Sequence, residues 1–439
     1  MDGGLEFYKK FRTLWCYAAN QVPAGTNNNH NATNNNHHNA NNHNNNHNKM
    51  KLFRQVLILC TAAAIQAGCS GEKVPYLAPE LLGAILDGPA APQDTPTSPQ
   101  DTPVTTKSTP ASPRNGLPRY EGAEIILLPQ TEDHYVNNVV LTQFQGRFWC
   151  MWQASERDED TPDTHVLVSQ SPDGRNWAQP CVLASPTDSS FVSPGFWLQS
   201  GGNLIAVINS SRADDRRVAC PLTWVSVVQT DSSAHDAALP RFTAVIEQEV
   251  RAVSTRLIGA AHFNPGQELC PVIGDGGSWR KARFEKGEGI PIEPSFYTMK
   301  NGTLVMLMRD QASSFRKLAS FSRDGGESWS APRLTDIPDS RSKQCAGNLP
   351  DGSAFMVWNP STDKSRLTLA VAFSKDGVRF DRAFVIAGPE DLPPQQFQGR
   401  YKTPGYSYPK AIIADGALWV GFSIGKEIPA VARLPLPAE

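Results

Sequence analysis

The chain has no excess of charge of either sign: 41 Lys and Arg stand against 43 Asp and Glu in 439 residues, a formal net charge of -2. Its basic residues form no runs. Nucleic acid is therefore excluded as a partner, since phosphate recognition needs a concentrated positive field. Cysteine is scarce too. Beyond Cys69, the residues Cys150, Cys181, Cys220, Cys270 and Cys345 are an odd set at wide spacing. That pattern fits neither a complete disulfide framework nor a C-x-x-C metal site, so they read as small buried hydrophobes and no structural metal is expected. The apolar run Val56 to Ile65 is well short of the ~20 residues that a permanent membrane span requires.

What is present divides the chain into four parts. Residues 1–49 include Thr26 to Asn48, almost entirely Asn and His, with nothing apolar to bury. A metal-binding His tract is the alternative reading of that stretch. Residues 50–69 then run from a basic start, Met50-Lys51-Leu52-Phe53-Arg54, through the short apolar segment to Ala67-Gly68-Cys69, the layout of a signal peptide. The Ala-Gly-Cys end resembles a bacterial lipobox. The resemblance implies a lipid on Cys69 and a place in the cell envelope, periplasmic or at the cell surface, with a secreted form as the alternative. Because such a signal works only at an N-terminus, Met50 is the expected start and residues 1–49 an extension. Residues 70–118 are rich in Pro, Thr and Ser and repeat Gln93-Asp94-Thr95-Pro96 as Gln100-Asp101-Thr102-Pro103. They read as a tether.

Residues 119–439 carry the folded domain. Its clearest stretch is Phe321-Ser322-Arg323-Asp324-Gly325-Gly326-Glu327-Ser328-Trp329, echoed at Ser171 to Trp177 and at Ser374 to Phe380. Each copy lies between strand-like apolar runs and so should be a hairpin turn, with Asp accepting backbone N–H bonds, Gly taking positive φ and the aromatic filling the gap beneath. Ser322 and Ser374 are about 50 residues apart, one four-stranded propeller blade, and Ser171 and Ser322 about three times that. Two degraded copies are expected between them, one at Asp275-Gly276-Gly277-Ser278-Trp279 and a fainter one near Val225 to Asp231. The fold class is therefore all-β: a β-propeller of six blades, seven as the alternative. Glu124 to Leu128 and Ala430 to Leu434 should share one blade and close the ring.

These repeats are Asp-boxes, and the domain resembles the sialidase-like Asp-box propellers. The resemblance implies an exo-acting glycoside hydrolase that removes a terminal sugar from acidic glycans, with no cofactor, working as a monomer and touching the membrane only through its lipid. Glu293 and Arg309, in Glu293-Pro294-Ser295-Phe296 and Leu304 to Arg309, match the segment with a catalytic Glu and a carboxylate-binding Arg. Arg366 matches a further carboxylate-binding Arg. Tyr406, in Gly405-Tyr406-Ser407, matches the nucleophile, and a length difference of about one residue leaves Tyr408 as the alternative. Asp158 is the best match to the general acid, with Glu159, Asp160 and Asp163 crowding it. Repulsion in that cluster should raise at least one pKa, as an acid requires. The family's first-blade Arg is absent, since this chain has Tyr135-Val136-Asn137-Asn138-Val139 there.

Other segments, among them Phe148 to Trp152 and Tyr406 to Ala411, resemble the sialidase-related propellers that remove rhamnose from glucuronate. Their first-blade His is also absent, with His134 and His165 nearby. A glycan-binding propeller without catalysis is the third reading. Trp197, Trp224 and Trp358 read as blade packing in preference to a sugar-stacking floor.

Overall fold

The structure, a computed structural model, describes residues 116–200, 202–229, 239–248, 250–264, 268–275 and 278–436. The Asn/His tract, the signal segment, Cys69 and most of the tether lie outside them, as do residues 230, 231, 276 and 277 of the degraded boxes.

Six blades form the ring among the described residues. Blade one comprises Tyr135–Phe144, Arg147–Ser155, His165–Ser171 and Cys181–Ala184. Blade two has three strands, Ser190–Ser200, Asn203–Arg212 and Thr223–Val228. In blade three the inner edge is broken into Ala244–Val245 and Arg251–Val253, both paired with Arg256–Phe263. Blade four is Pro291–Thr298, Leu304–Asp310, Arg316–Ser322 and Arg333–Pro338, and blade five runs from Cys345–Asn348 to Arg382–Ala387. Blade six takes Tyr406–Ala414, Ala417–Ile424 and Ile428–Pro435 from the end of the domain and Glu124–Leu127 from its start. Leu127 pairs with Ala430 and Glu124 with Arg433, so the first strand completes the last blade and closes the ring, as the sequence predicts.

Each sheet is sandwiched between two others, so its strands are buried on both faces; Leu304 to Met308 is apolar and buried throughout. The hydrophobic clusters lie between consecutive blades, as where Trp419 of blade six meets Phe148 of blade one at 4.6 Å between ring centres. Cys150 and Cys345 are buried in this material, Cys181, Cys220 and Cys270 are half-buried, and none of the five forms a disulfide among the described residues. Trp358 is core, and Trp197 donates its ring N–H to Val140 O of the neighbouring blade.

The Asp-boxes turn the third strand into the fourth on one face of the ring. Asp173 Oδ1 accepts the N–H groups of Arg175 and Asn176 at 2.9 and 2.8 Å, and Asp376 Oδ1 those of Val378 and Arg379 at 2.7 and 2.8 Å. Their glycines also pack against the preceding blade. Gly174 (φ +73°) faces the Trp419 ring so closely that a Cβ would sit 2.5 Å from it, and Gly326 and Gly377 meet Ile258 and Met299 in the same way. The boxes thus bind blade to blade. The inner strands start on the opposite face, where the loops after the second strand of each blade also gather. Farther along the inner strands the axis holds a mostly apolar cavity of about 310 Å³, lined by Val140, Trp197, Arg251, Asn348 and Ile412.

Gly174→Ala should cost about 2–4 kcal/mol, combining left-handed strain with overpacking against Trp419. Gly416→Ala shares the positive φ (+69°) but faces open space, and should cost only about 1 kcal/mol. Denaturant unfolding of both variants measures the difference, and equal costs would contradict the packing role.

Candidate active site

Three inner strands break their alternation at the same height. Asn138 (φ 55°), Glu293 (φ 52°) and Tyr408 (φ 58°) all adopt left-handed backbone at a register shift: between Asn137 and Val140, between Ile292 and Ser295, and between Ser407 and Lys410. A bulge sets two residues against one and re-aims the extra side chain. Glu293 and Tyr408 each precede a proline, which lacks the N–H that a ladder would use and is tolerated inside a sheet mainly at such bulges. Blade two has its own shift between Pro194 and Phe196.

Glu293 is the anchor of what gathers there. Its carboxylate accepts two bonds from Arg309 Nη1, at 3.0 and 3.2 Å, while Arg309 Nη2 donates to Gln311 at 2.8 Å. The backbone of Glu293 is fixed as well, its N–H donating to His262 Nε2 and its carbonyl accepting from Gln344. Arg366 donates to Ser407 Oγ at 3.2 Å and to Arg341 O at 3.0 Å. Its guanidinium lies 5.3 Å from the centre of the Tyr408 ring, with the ammonium groups of Lys343 and Lys426 at 4.4 and 5.5 Å. Burial raises the Tyr408 phenol well above its ordinary pKa, and the Glu159 and Glu293 carboxylates add to this against the pull of Arg366 and Arg309.

Tyr408, and not Tyr406, therefore holds the axial position. Tyr406 is buried against Phe422 in the core between blades five and six, and its hydroxyl donates to Gly388 O at 2.9 Å. Two residues earlier in the same strand, ahead of the bulge, alternation still directs its ring into the blade interface.

The acid loop needs the same correction. Asp158 accepts the N–H of Tyr401 at 3.2 and 3.3 Å and that of Glu159 at 2.8 Å, so its carboxylate splices two loops. Asp163 does similar work for Glu156 N–H. The carboxylates that reach the axial set are Glu159, paired with Lys426, and Asp160, paired with Arg216 at 3.0 Å. Burial, then repulsion from Glu159, pushes Asp160 up to about 6, with Arg216 pulling the other way. For Glu159 burial is outweighed by Lys426, Arg366 and Lys343, and its pKa falls.

Glu247, 3.4 Å from Lys343, completes the charged set. Lys343, Lys426, Glu247 and Arg216 carried no signal in the sequence, being single charges on loops whose height in the ring is set by the fold. Asn137 bonds Ser423, and Asn138 bonds the carbonyl of Pro194. His134 stacks on Phe397 at 3.8 Å and His165 lies 3.5 Å from Asp133, so both are spent at the rim. Orphaned buried polar atoms collect at this end of the axis, among them Arg309 Nε, Asn138 Oδ1 and Gln248 Oε1. Such atoms mark where solvent or a ligand is accommodated.

Fold and site together define an Asp-box β-propeller with a cluster of charged side chains at one end of its axis. The BNR repeat-like domain family matches residues 146–420, more than half of the chain, and the chain belongs to that family. A search of curated proteins found no match. Among solved structures, the chain resembles a sialidase at TM-score 0.51 and 19% identity, covering 73% of this chain and 34% of that one, so it spans about a third of that protein's length. A protein of unknown function from Dyadobacter fermentans matches at TM-score 0.53 and 14% identity, over 72% of this chain and 100% of that one. A mutant of Trypanosoma rangeli sialidase displaying trans-sialidase activity matches at TM-score 0.50 and 15% identity, over 73% and 60%. At these identities the likeness is one of fold.

Asp160 keeps its proton up to about 6 in the folded protein, against an ordinary value near 4. A raised carboxyl pKa stabilises the fold fully below the ordinary value, and that contribution is lost as pH rises through the folded one. Asp160→Asn should therefore gain thermal stability relative to the wild type between about pH 4 and 7. A difference in Tm that stays flat across that range would contradict the assignment.

Proposed function

We propose that the chain is an exo-acting glycoside hydrolase that removes a terminal sugar bearing a carboxylate from an acidic glycan. The observation that carries this is the meeting of Tyr408, Glu293, Arg309, Arg366 and Asp160 at one end of the axis, on elements from blades one, four, five and six.

In this reading Arg309 and Arg366 clamp the sugar carboxylate and fix the ring. That carboxylate repels an anionic nucleophile, so a phenol that is neutral at rest suits the attack. The arriving carboxylate competes for Arg309 and loosens its hold on Glu293, which takes the Tyr408 proton as the phenol oxygen bonds to the anomeric carbon. Asp160 gives its proton to the departing glycosidic oxygen, then takes one from the water that releases the sugar from Tyr408. A value of about 6 for Asp160 suits an acid that must also act as a base. The tether and the lipid on Cys69 would hold such an enzyme at the cell envelope, facing acidic oligosaccharide or polysaccharide.

One observation favours a second reading, a propeller that binds glycans without cleaving them. The first-blade position that would supply a third guanidinium holds Asn137 and Asn138, which are uncharged and each bond a protein partner through one end of the amide. Removal of rhamnose from glucuronate would need a histidine at that height, and His134 and His165 are engaged at the rim.

Sugar release by the purified protein from a panel of sialosides and rhamnosyl-glucuronate oligosaccharides tests these readings. The proposal expects release of an acidic sugar, reduced by Tyr408→Phe by about 1000-fold or more in kcat, about 4 kcal/mol. Tyr406→Phe should stay within about tenfold of the wild type, since it removes one core hydrogen bond of about 1 kcal/mol. Undiminished release by Tyr408→Phe would overturn the mechanism, and binding without release would leave the glycan-binding reading.

A further inference from the structure

At the rim of the axial cluster three loops from separate blades meet around one guanidinium. Arg216, on the blade-two loop 213–222, has a side chain 43% exposed; its Nη1 donates to Asp160 of the blade-one loop at 3.0 Å. Its guanidinium carbon lies 4.6 Å from the centre of the Tyr401 ring, on the 388–405 loop, and that of Arg400 lies 5.2 Å from the same ring. Tyr401 is half-buried and held firmly. Asp158 accepts its N–H, and Glu427 accepts the N–H groups of Gln396 and Phe397 at 2.9 and 2.7 Å earlier in the loop. The result is an aromatic shelf with a cation on it, next to Asp160 and outward of the Arg309 and Arg366 pair.

Arg216 is a shared donor. A guanidinium offers five N–H groups in a rigid fork and pairs best with a carboxylate or another flat oxyanion. Asp160 is faced by Glu159 from its own loop, Glu247 beside blade three, Lys426 from the blade-six turn and Arg216. Only Arg216 among these stands at the solvent side, where an anion arriving from outside could take it over. On the glycosidase reading of the axial site, the leaving sugar projects from the scissile oxygen at Asp160 outward over this shelf.

We propose that Arg216 and Tyr401 form a leaving-group subsite for an acidic sugar, and that its carboxylate draws Arg216 away from Asp160, leaving Asp160 to hold the proton that it must donate. The bond cleaved is then flanked by an anion on each side, one on Arg309 and Arg366 and one on Arg216. A neutral leaving sugar offers Arg216 no competing anion, so Arg216 stays on Asp160 and the acid stays partly ionised at neutral pH. The shelf thus couples substrate choice to the protonation state of the acid.

Calorimetric titration of full-length Tyr408→Phe with a glucuronic-acid disaccharide tests this, run in buffers of different ionisation enthalpy so that proton uptake is read directly. The control ligand is the same disaccharide with its reducing-end carboxylate reduced to the alcohol. The expected result near pH 7 is binding about tenfold tighter for the diacid, as one surviving charge-assisted pair implies, with uptake of a sizeable fraction of one proton. Adding Arg216→Ala should abolish both the preference and the uptake; adding Asp160→Asn should abolish the uptake and keep the preference. Diacid binding with no dependence on Arg216, or with no proton uptake, would overturn the shelf and leave the axial site standing. Failure of both disaccharides to bind would overturn the acidic-sugar reading of the axial site along with it.

Discussion

A propeller blade is covered on both faces, so the alternation of its inner strand sends each side chain into one blade interface or the next, and a side chain reaches the axial pocket where that alternation is broken. The bulges at Glu293 and Tyr408 are that break, and the candidate chemistry depends on them. Left-handed backbone at a residue with a side chain costs on the order of 1 kcal/mol or more and persists only where the surroundings enforce it. Here they do. Gln344 and His262 fix the backbone at Glu293, and Ser407, beside Tyr408, is held by Arg366.

The second constraint is electrostatic. Glu293, Glu159, Glu247 and Asp160 are paired with Arg309, Lys426, Lys343 and Arg216 respectively. Unpaired, the more deeply buried of these, Glu293 and Glu159, would cost several kcal/mol each. Arg366 is different, since it donates only to neutral oxygens. A half-buried guanidinium held by neutral oxygens, with the orphaned Nε of Arg309 and of Arg341 also at the site, is suited to an anion. The Lys317–Asp339 pair, buried to within 1% of complete, braces this arrangement from behind. It holds the loop that supplies Arg341 O to Arg366, Lys343 to Tyr408 and Gln344 to Glu293.

How much of this could be read in the sequence differs between frame and site. The Asp-boxes are local: Asp, Gly and the aromatic act within one turn, so three copies at blade spacing define the ring and even its closure between Glu124 and Arg433. Glu293, Arg309 and Arg366 were legible for a related reason, each lying in a segment with its own pattern. Tyr406 misled because strand periodicity ranks Tyr406 and Tyr408 alike until the bulge intervenes. The usable signal was proline, which follows Tyr408 as it follows Glu293. Among Asp158, Glu159 and Asp160, choice by sequence fails, because the positive φ at Asp160 and the capture of Asp158 by Tyr401 are set by contacts across the ring. Lys343, Lys426 and Arg216 were illegible for that reason alone.

A crystal structure of the protein with a carboxylate-bearing monosaccharide bound would test the central claim most directly, that the axial pocket is built around Tyr408 for an acidic sugar. The account predicts the carboxylate within hydrogen-bond distance of Arg309 and Arg366, with the anomeric carbon facing the Tyr408 hydroxyl and its substituent directed toward Asp160. A sugar seated elsewhere on the ring, or one whose carboxylate leaves the Glu293 to Arg309 pair untouched and points away from Arg366, would contradict it.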